Sequence, residues 1–162
     1  MIKTAVITIS DKGSKGKRED KSGTLLVDLI EKIDGKKDFY NIIPDNQKII
    51  KQNLIELCDH NDIDLILTTG GTGLAPDDVT PEATLAVIEK EVPGLSEMMR
   101  QQTSNKTPLA FLSRARAGIR GNTLIINLPG SPKAVKECFT VIAKVLPHGI
   151  KILKNEIKEH NH

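Results

Sequence analysis

Residues 65–81, LILTTGGTGLAPDDVTP, limit the possible folds of this chain more than any other stretch. An apolar, β-branched run from Ile63 to Thr69 enters Gly70-Gly71-Thr72-Gly73, passes the carboxylates Asp77 and Asp78, and reaches Thr80-Pro81-Glu82. Such a run reads as a buried strand, so the chain must leave a sheet through a glycine loop and start a helix. Three glycines in four residues let the backbone approach a ligand closely and align successive N–H groups. Thr80 is placed to cap the helix, and Pro81 suits its first turn. A strand, a glycine loop and a helix N-terminus together favour an anion such as phosphate. The same residues also describe a tight strand-to-helix turn closed by a capping threonine.

The rest of the chain repeats this alternation. Residues 2–9, IKTAVITI, read as a central strand, not as a signal peptide. A long polar loop over 10–22 follows; its GSKGK lacks the spacing of a Walker A loop. Leu25, Leu26, Leu29, Ile30 and Ile33 share one face of a helix over 23–34, ended by Gly35. A strand over 38–43 leads through Pro44-Asp45-Asn46 into a helix carrying Ile49, Ile50, Leu54 and Leu57. Asp45 there reads either as a helix N-cap or as a site carboxylate at a strand end. After the glycine loop, the pattern predicts a helix over 81–91, a break at Val92-Pro93-Gly94, and a short helix with Leu95, Met98 and Met99. A loop over 103–109 precedes a hairpin over 116–128 that turns at Gly121-Asn122. Leu128-Pro129-Gly130-Ser131-Pro132 is a second strand-to-helix loop, with Ser131 as cap. The last helical stretch runs through Ile150, Leu153 and Ile157. The expected fold is a single three-layer α/β/α domain over 1–155 with a mostly parallel, mixed sheet, and a frayed tail over 156–162.

Composition excludes several classes of function. A formal net charge of +2, three Phe, one Tyr and no Trp give no footing for nucleic-acid binding. No apolar run approaches the roughly 20 residues that span a bilayer. Cys58 and Cys138 lie far apart in predicted helices without metal-ligand spacing, as expected of reduced thiols in a cytoplasmic protein.

The loops 10–22, 44–46 and 70–80 should converge at one sheet edge, with 129–131 joining them. They carry Asp11, Asp20, Asp45, Asp77 and Asp78, the hydroxyls of Ser10, Thr72 and Ser131, and no histidine or cysteine. Cys/His nucleophilic chemistry and histidine-ligated zinc are therefore poorly supported. Carboxylates beside bare amides suit a phosphate ester held with Mg²⁺. Ser113-Arg114 could bring a cationic fork to an anionic ligand. Nucleotidyl transfer onto an already ionised phosphate needs no general base, which fits the missing histidine.

TTGGTG at 68–73, DVTPEAT at 78–84, LSRARAGIRG at 112–121 and LIINLPGSPKAVKEC at 124–138 resemble the molybdopterin adenylyltransferase family. ITISD at 7–11 and EDKSG at 19–23 extend the resemblance, which covers the chain to about residue 150. It implies a molybdopterin-binding α/β fold, a homotrimer, and Mg²⁺-dependent transfer of AMP from ATP to molybdopterin. It also implies a molybdate-inserting partner protein that uses the product. By the same resemblance, Asp45 and Asp78 are the catalytic and Mg²⁺-holding pair. Ser10, Asp11, Asp20, Gly70, Gly71, Thr72, Gly73, Ser113, Arg114, Pro129, Gly130 and Ser131 are the expected nucleotide- and pterin-binding residues. Three rivals stay open: a MoaB-like paralogue that binds without efficient turnover, a scaffold subunit, and a nucleotide hydrolase. Retention of both aspartates favours the active enzyme, and the lack of an appended domain speaks against a scaffold.

Overall fold

A computed structural model describes residues 1–157. Six strands form one sheet: β1 (Ile2–Ile9), β2 (Gly35–Ile43), β3 (Leu65–Thr69), β4 (Lys90–Glu91), β5 (Ala117–Arg120) and β6 (Thr123–Leu128). Their spatial order is β2-β1-β3-β6-β5-β4. The first four of these run parallel, and β5 pairs antiparallel with both β6 and β4. The helices are α1 (Asp11–Ser14), α2 (Lys21–Leu29), α3 (Gln47–His60), α4 (Thr80–Val87), α5 (Pro93–Thr103), α6 (Pro132–Ile142) and α7 (Leu146–Leu153).

The three layers follow from the period of two along the central strands. Val6, Leu65, Leu67, Ile126 and Leu128 point into a core shared with Leu26, Met99, Phe139 and Ile150, on α2, α5, α6 and α7. Their neighbours Ala5, Ile7, Ile66 and Ile125 point the other way, onto Ile50, Leu54, Ala83 and Val87 of α3 and α4. Both faces are covered, so the central β3 and β6 contain no exposed position, as their unbroken apolar runs require, while the edge strands β2 and β4 do. The parallel pairing has a consequence for function. Thr8 pairs with Thr69, and Thr69 with Leu128, so β1, β3 and β6 release their loops side by side at one edge.

Several boundaries differ from the sequence reading. The 10–22 segment holds the short helix α1, and α2 starts earlier, at Lys21, capped by Asp20. The 23–34 helix tightens to a 3₁₀ turn over Ile30–Ile33, and Asp34, not Gly35, takes the left-handed conformation at φ 57°. Gly35 opens β2 instead, where a Cβ would stand 2.8 Å from the Ile30 carbonyl oxygen. The helix expected over 81–91 stops at Val87, and Lys90–Glu91 becomes the edge strand β4. The short helix around Leu95 extends to Thr103, and a 3₁₀ turn, Pro108–Leu112, occupies the end of the expected loop. The hairpin turns at Gly121, φ 58°, as its sequence requires. The last helix ends at Leu153, so Ile157 lies outside it. Of the tail over 156–162, residues 158–162 lie outside the described residues.

Candidate active site

The strand edge opens into a cleft of about 790 Å³. Ser10, Asp20, Asp45, Gly70, Gly71, Asp78, Gly130 and Ser131 line it, together with Arg18, Lys21 and Ser22. Four loops from three neighbouring parallel strands and from β2 thus meet where open α/β sheets bind ligands.

The β3 loop is built on strained glycines. Gly70 (φ 102°) and Gly71 (φ 69°) both take backbone conformations that an L side chain resists. A Cβ on Gly70 would lie 2.4 Å from the Ile9 carbonyl oxygen, and one on Gly71 2.3 Å from Thr80 Oγ1. The expected cap is not formed. Val79 is the N-cap of α4 and provides no side-chain bond, while the buried Thr80 donates its hydroxyl to the Gly70 carbonyl at 3.0 Å. Pro81 does occupy the first turn, as expected.

The β6 loop follows the sequence expectation more closely. Ser131 caps α6 by accepting from the Ala134 N–H at 3.2 Å, with Pro132 after it. Two hydroxyls tie this loop to its surroundings: Thr69 donates to the Pro129 carbonyl and Ser22 to the Gly130 carbonyl, each at 2.6 Å. The Gly70 N–H donates to the Leu128 carbonyl at 3.1 Å, so the two loops lie back to back.

Asp45 is not the cap of α3; Asn46 is, accepting from the Ile49 N–H. Asp45 instead forms a reciprocal pair with Asp11. The Asp11 N–H donates to Asp45 Oδ2 at 3.0 Å, and the Asp45 N–H to Asp11 Oδ1 at 2.9 Å. Burial pushes the Asp45 carboxyl above its ordinary range, and the charges of Asp11, Asp78 and Asp77 push it the same way, against the Asp11 amide. Asp78 faces the same cleft; its Oδ2 accepts from the Ala75 N–H at 3.1 Å.

Asp20 has a structural part in this edge. Its carboxylate caps α2 through the Gly23 N–H at 2.9 Å and accepts from Thr8 Oγ1 at 2.6 Å and from the Tyr40 hydroxyl. Burial and that carboxylate raise the Tyr40 hydroxyl well above its ordinary value, so it stays a donor. The cations Arg18 and Lys21 escaped the sequence reading, although KGKREDK already held them in the loop assigned to the site.

Six expected contact residues do not line the cleft. Asp11 holds Asp45, the Pro129 carbonyl receives Thr69, and Thr72 is buried. Gly73 packs beside Asp78. Ser113 and Arg114 lie outside, and the Arg114 side chain is turned onto the glycine loop: Nε donates to the Gly73 carbonyl and Nη2 to the Asp78 carbonyl, each at 2.7 Å. Beneath, the fully buried Asn127 of β6 was also missed. Its amide donates to Thr68 and Thr84, and its oxygen accepts from the Arg116 N–H, which locks β6 to β3, α4 and the chain entering β5.

Among the described residues no three His, Cys, Asp or Glu side chains form a metal cage. The donor set nevertheless fits Mg²⁺, which is commonly held by one or two carboxylates plus substrate phosphates. Cys58 and Cys138 are free, and burial pushes both thiols up to about 11, which keeps them protonated and unreactive. No helix among the described residues is long and apolar enough to cross a membrane.

Comparison with known proteins places the chain in a family. Residues 5–148 match the family described as a probable molybdopterin binding domain. The chain is 39% identical over 162 residues to a molybdopterin adenylyltransferase of Helicobacter pylori, covering 99% of this chain and 92% of that protein. It is 46% identical over 157 residues to the molybdenum cofactor synthesis protein cinnamon of Drosophila melanogaster; this covers 96% of the chain but only 26% of that longer protein. The crystal structure of the molybdopterin biosynthesis enzyme MoaB from Thermus thermophilus superposes with a TM-score of 0.91 at 44% identity, over 96% of this chain and 98% of that one.

Proposed function

This chain belongs to the family of probable molybdopterin-binding domains, and from that premise we infer that it is a molybdopterin adenylyltransferase. The observation that carries the reading is that Asp45 and Asp78 line one cleft together with the strained Gly70-Gly71 turn. A phosphate oxygen of molybdopterin attacks the α-phosphorus of ATP. The bond from that phosphorus to the bridging oxygen breaks, and pyrophosphate leaves. The attacking oxygen is already ionised near neutral pH, so no residue has to remove a proton. The chain's work is alignment and charge compensation. Amides of the β3 and β6 loops hold the phosphates, and Arg18 and Lys21 face the same space.

Asp45 and Asp78 are the proposed Mg²⁺ ligands. Each has one carboxylate oxygen fixed by a backbone N–H, and Asp45 is destabilised as an anion, a cost that a divalent cation offsets. Bound Mg²⁺ supplies neutralisation of the charge that develops on the reacting phosphates. The same reading takes residues 1–155 as the catalytic unit, acting in the cytoplasm as a homotrimer and handing its product to a molybdate-inserting protein.

Incubating the purified protein with ATP, MgCl₂ and molybdopterin tests this. Adenylyl-molybdopterin and pyrophosphate in equal amounts are the expected products. ATP loss without the adenylylated pterin would assign a hydrolase instead. Tight binding without turnover would assign a binding paralogue or scaffold. Replacing MgCl₂ with a chelator should abolish turnover, and sedimentation should give three times the chain mass.

A further inference from the structure

Arg114 follows the 3₁₀ turn Pro108–Leu112 and precedes β5, yet its contacts lie across the molecule on the β3 loop. Its backbone N–H donates to the Thr72 carbonyl at 2.8 Å. Nε donates to the Gly73 carbonyl and Nη2 to the Asp78 carbonyl, and Nη1 reaches Glu82 Oε2 at 2.8 Å. One guanidinium thus joins the start of the 73–78 loop, its end, and the first turn of α4. Within that span the Asp78 N–H donates to the Ala75 carbonyl at 3.0 Å, and Asp78 Oδ2 accepts the Ala75 N–H in return. The carboxylate hangs from a small closed turn whose two ends Arg114 grips.

The grip is itself anchored. Arg100 Nη1 donates to the carbonyls of Ser113 and Ala115, at 3.3 and 3.0 Å, on either side of Arg114. Two residues on, the Arg116 N–H donates to the buried Asn127. Three of the five guanidinium N–H groups are used inside the protein, spread over a planar fork that a lysine ammonium does not reproduce. Arg114 is absent from the cleft lining, where Asp78 stands.

We propose that Arg114 is a positioning residue for adenylyl transfer: it fixes the 73–78 loop and so sets where the Asp78 carboxylate stands. The proposal rests on the adenylyltransferase reading above. It replaces direct ligand contact with action through Asp78. Glu82 completes the device, since its carboxylate, lowered from its ordinary value by the bond from Arg114, keeps the guanidinium turned toward α4.

The test compares wild type with Arg114→Gln, Arg114→Lys and Glu82→Gln, using steady-state kinetics and amide hydrogen exchange of the ligand-free protein. Both Arg114 variants should lose about tenfold to a hundredfold in kcat, the scale of a misplaced reacting group, with KM for ATP and molybdopterin changed by less than about twofold. Half-maximal rate should need severalfold more Mg²⁺. Exchange at residues 72–78 should quicken by at least about tenfold while the core strands keep their protection. Glu82→Gln should show the same pattern, weaker. Should Arg114→Gln fail to fold, Arg114→Lys and Glu82→Gln decide alone. Wild-type kcat with a raised KM for molybdopterin in either Arg114 variant would overturn the proposal in favour of substrate contact, as would unchanged exchange at 72–78. If wild type forms no adenylyl-molybdopterin, the functional reading has failed, and the exchange data still decide whether Arg114 holds the loop.

Discussion

The loops after β3 and β6 leave adjacent parallel strands, face the same cleft and each lead into a proline-started helix, but they are held in opposite ways. The β6 loop keeps its own cap and an unstrained backbone: Ser131 caps its helix, Gly130 takes no left-handed conformation, and the hydroxyls of Thr69 and Ser22 hold its carbonyls. The β3 loop gives up its cap. Thr80 turns back to the Gly70 carbonyl, Gly70 and Gly71 sit at positive φ, and closure comes from Arg114, 36 residues beyond Asp78. The loop that carries Asp78 is thus strained and braced by a side chain far along the chain, whereas its neighbour keeps an unstrained backbone and its own cap.

Substitutions can break or sharpen this contrast. The largest effect belongs to Asp78→Asn, which should lower kcat by at least about a hundredfold, as when one pre-organised charge-stabilising group is removed. Its melting temperature should stay near wild type; comparable losses in rate and stability would make Asp78 structural. Next come the glycines. Gly71→Ala should destabilise by about 2–3 kcal/mol, because the new Cβ meets both a positive φ and Thr80 Oγ1. Gly130→Ala should cost less than about 1 kcal/mol, because its Cβ would meet only the Gly70 Cα at 3.4 Å. Denaturant titration reads both, and equal losses would erase the distinction between the loops. Ser131→Ala should cost about 1 kcal/mol, the usual value of a cap, without the Mg²⁺ dependence changing.

The smallest effect tests the carboxylate pair. The raised Asp45 makes the folded state hold a proton more tightly than the unfolded chain does. Its contribution is therefore present below the unfolded carboxyl pKa and is lost as pH rises through the folded one. At neutral pH the ligand-free Asp45→Asn protein should melt above wild type, with the difference shrinking as pH falls into the carboxylate range. Adding MgCl₂ should raise wild type more than the variant. A variant that melts lower at every pH would mean that the Asp45 charge is stabilised, not strained.

Much of this was legible in the sequence because apolar runs and turn residues act locally. IKTAVITI, LILTT and TLIINL became the strands their β-branching requires, and Gly121-Asn122 turned the hairpin. Asp45 and Asp78 faced one cleft because parallel register forces loop convergence. What escaped was whatever depends on a partner far along the chain. Lys90–Glu91 is a strand only because β5 offers it an edge. Thr80 reads as a cap until the Gly70 carbonyl competes for its hydroxyl. The fork that Arg114 sets on the Gly73 and Asp78 carbonyls spans 41 and 36 residues, which no local pattern around it shows. Arg18 and Lys21 sat inside a loop already assigned to the site, Lys21 within the EDKSG stretch itself, where exposed cations look like solvated ones.

The hydroxyl stitches from Thr69 and Ser22 have a consequence for how this cleft answers to its medium. Neutral bonds of this kind are untouched by dissolved electrolyte, which screens charges and leaves dipoles short of water in place. The floor beneath the two loops should hold its shape from dilute buffer to brine. Sensitivity of substrate affinity to ionic strength then reports on Arg18 and Lys21 at the mouth, where arriving phosphates first meet opposite charge.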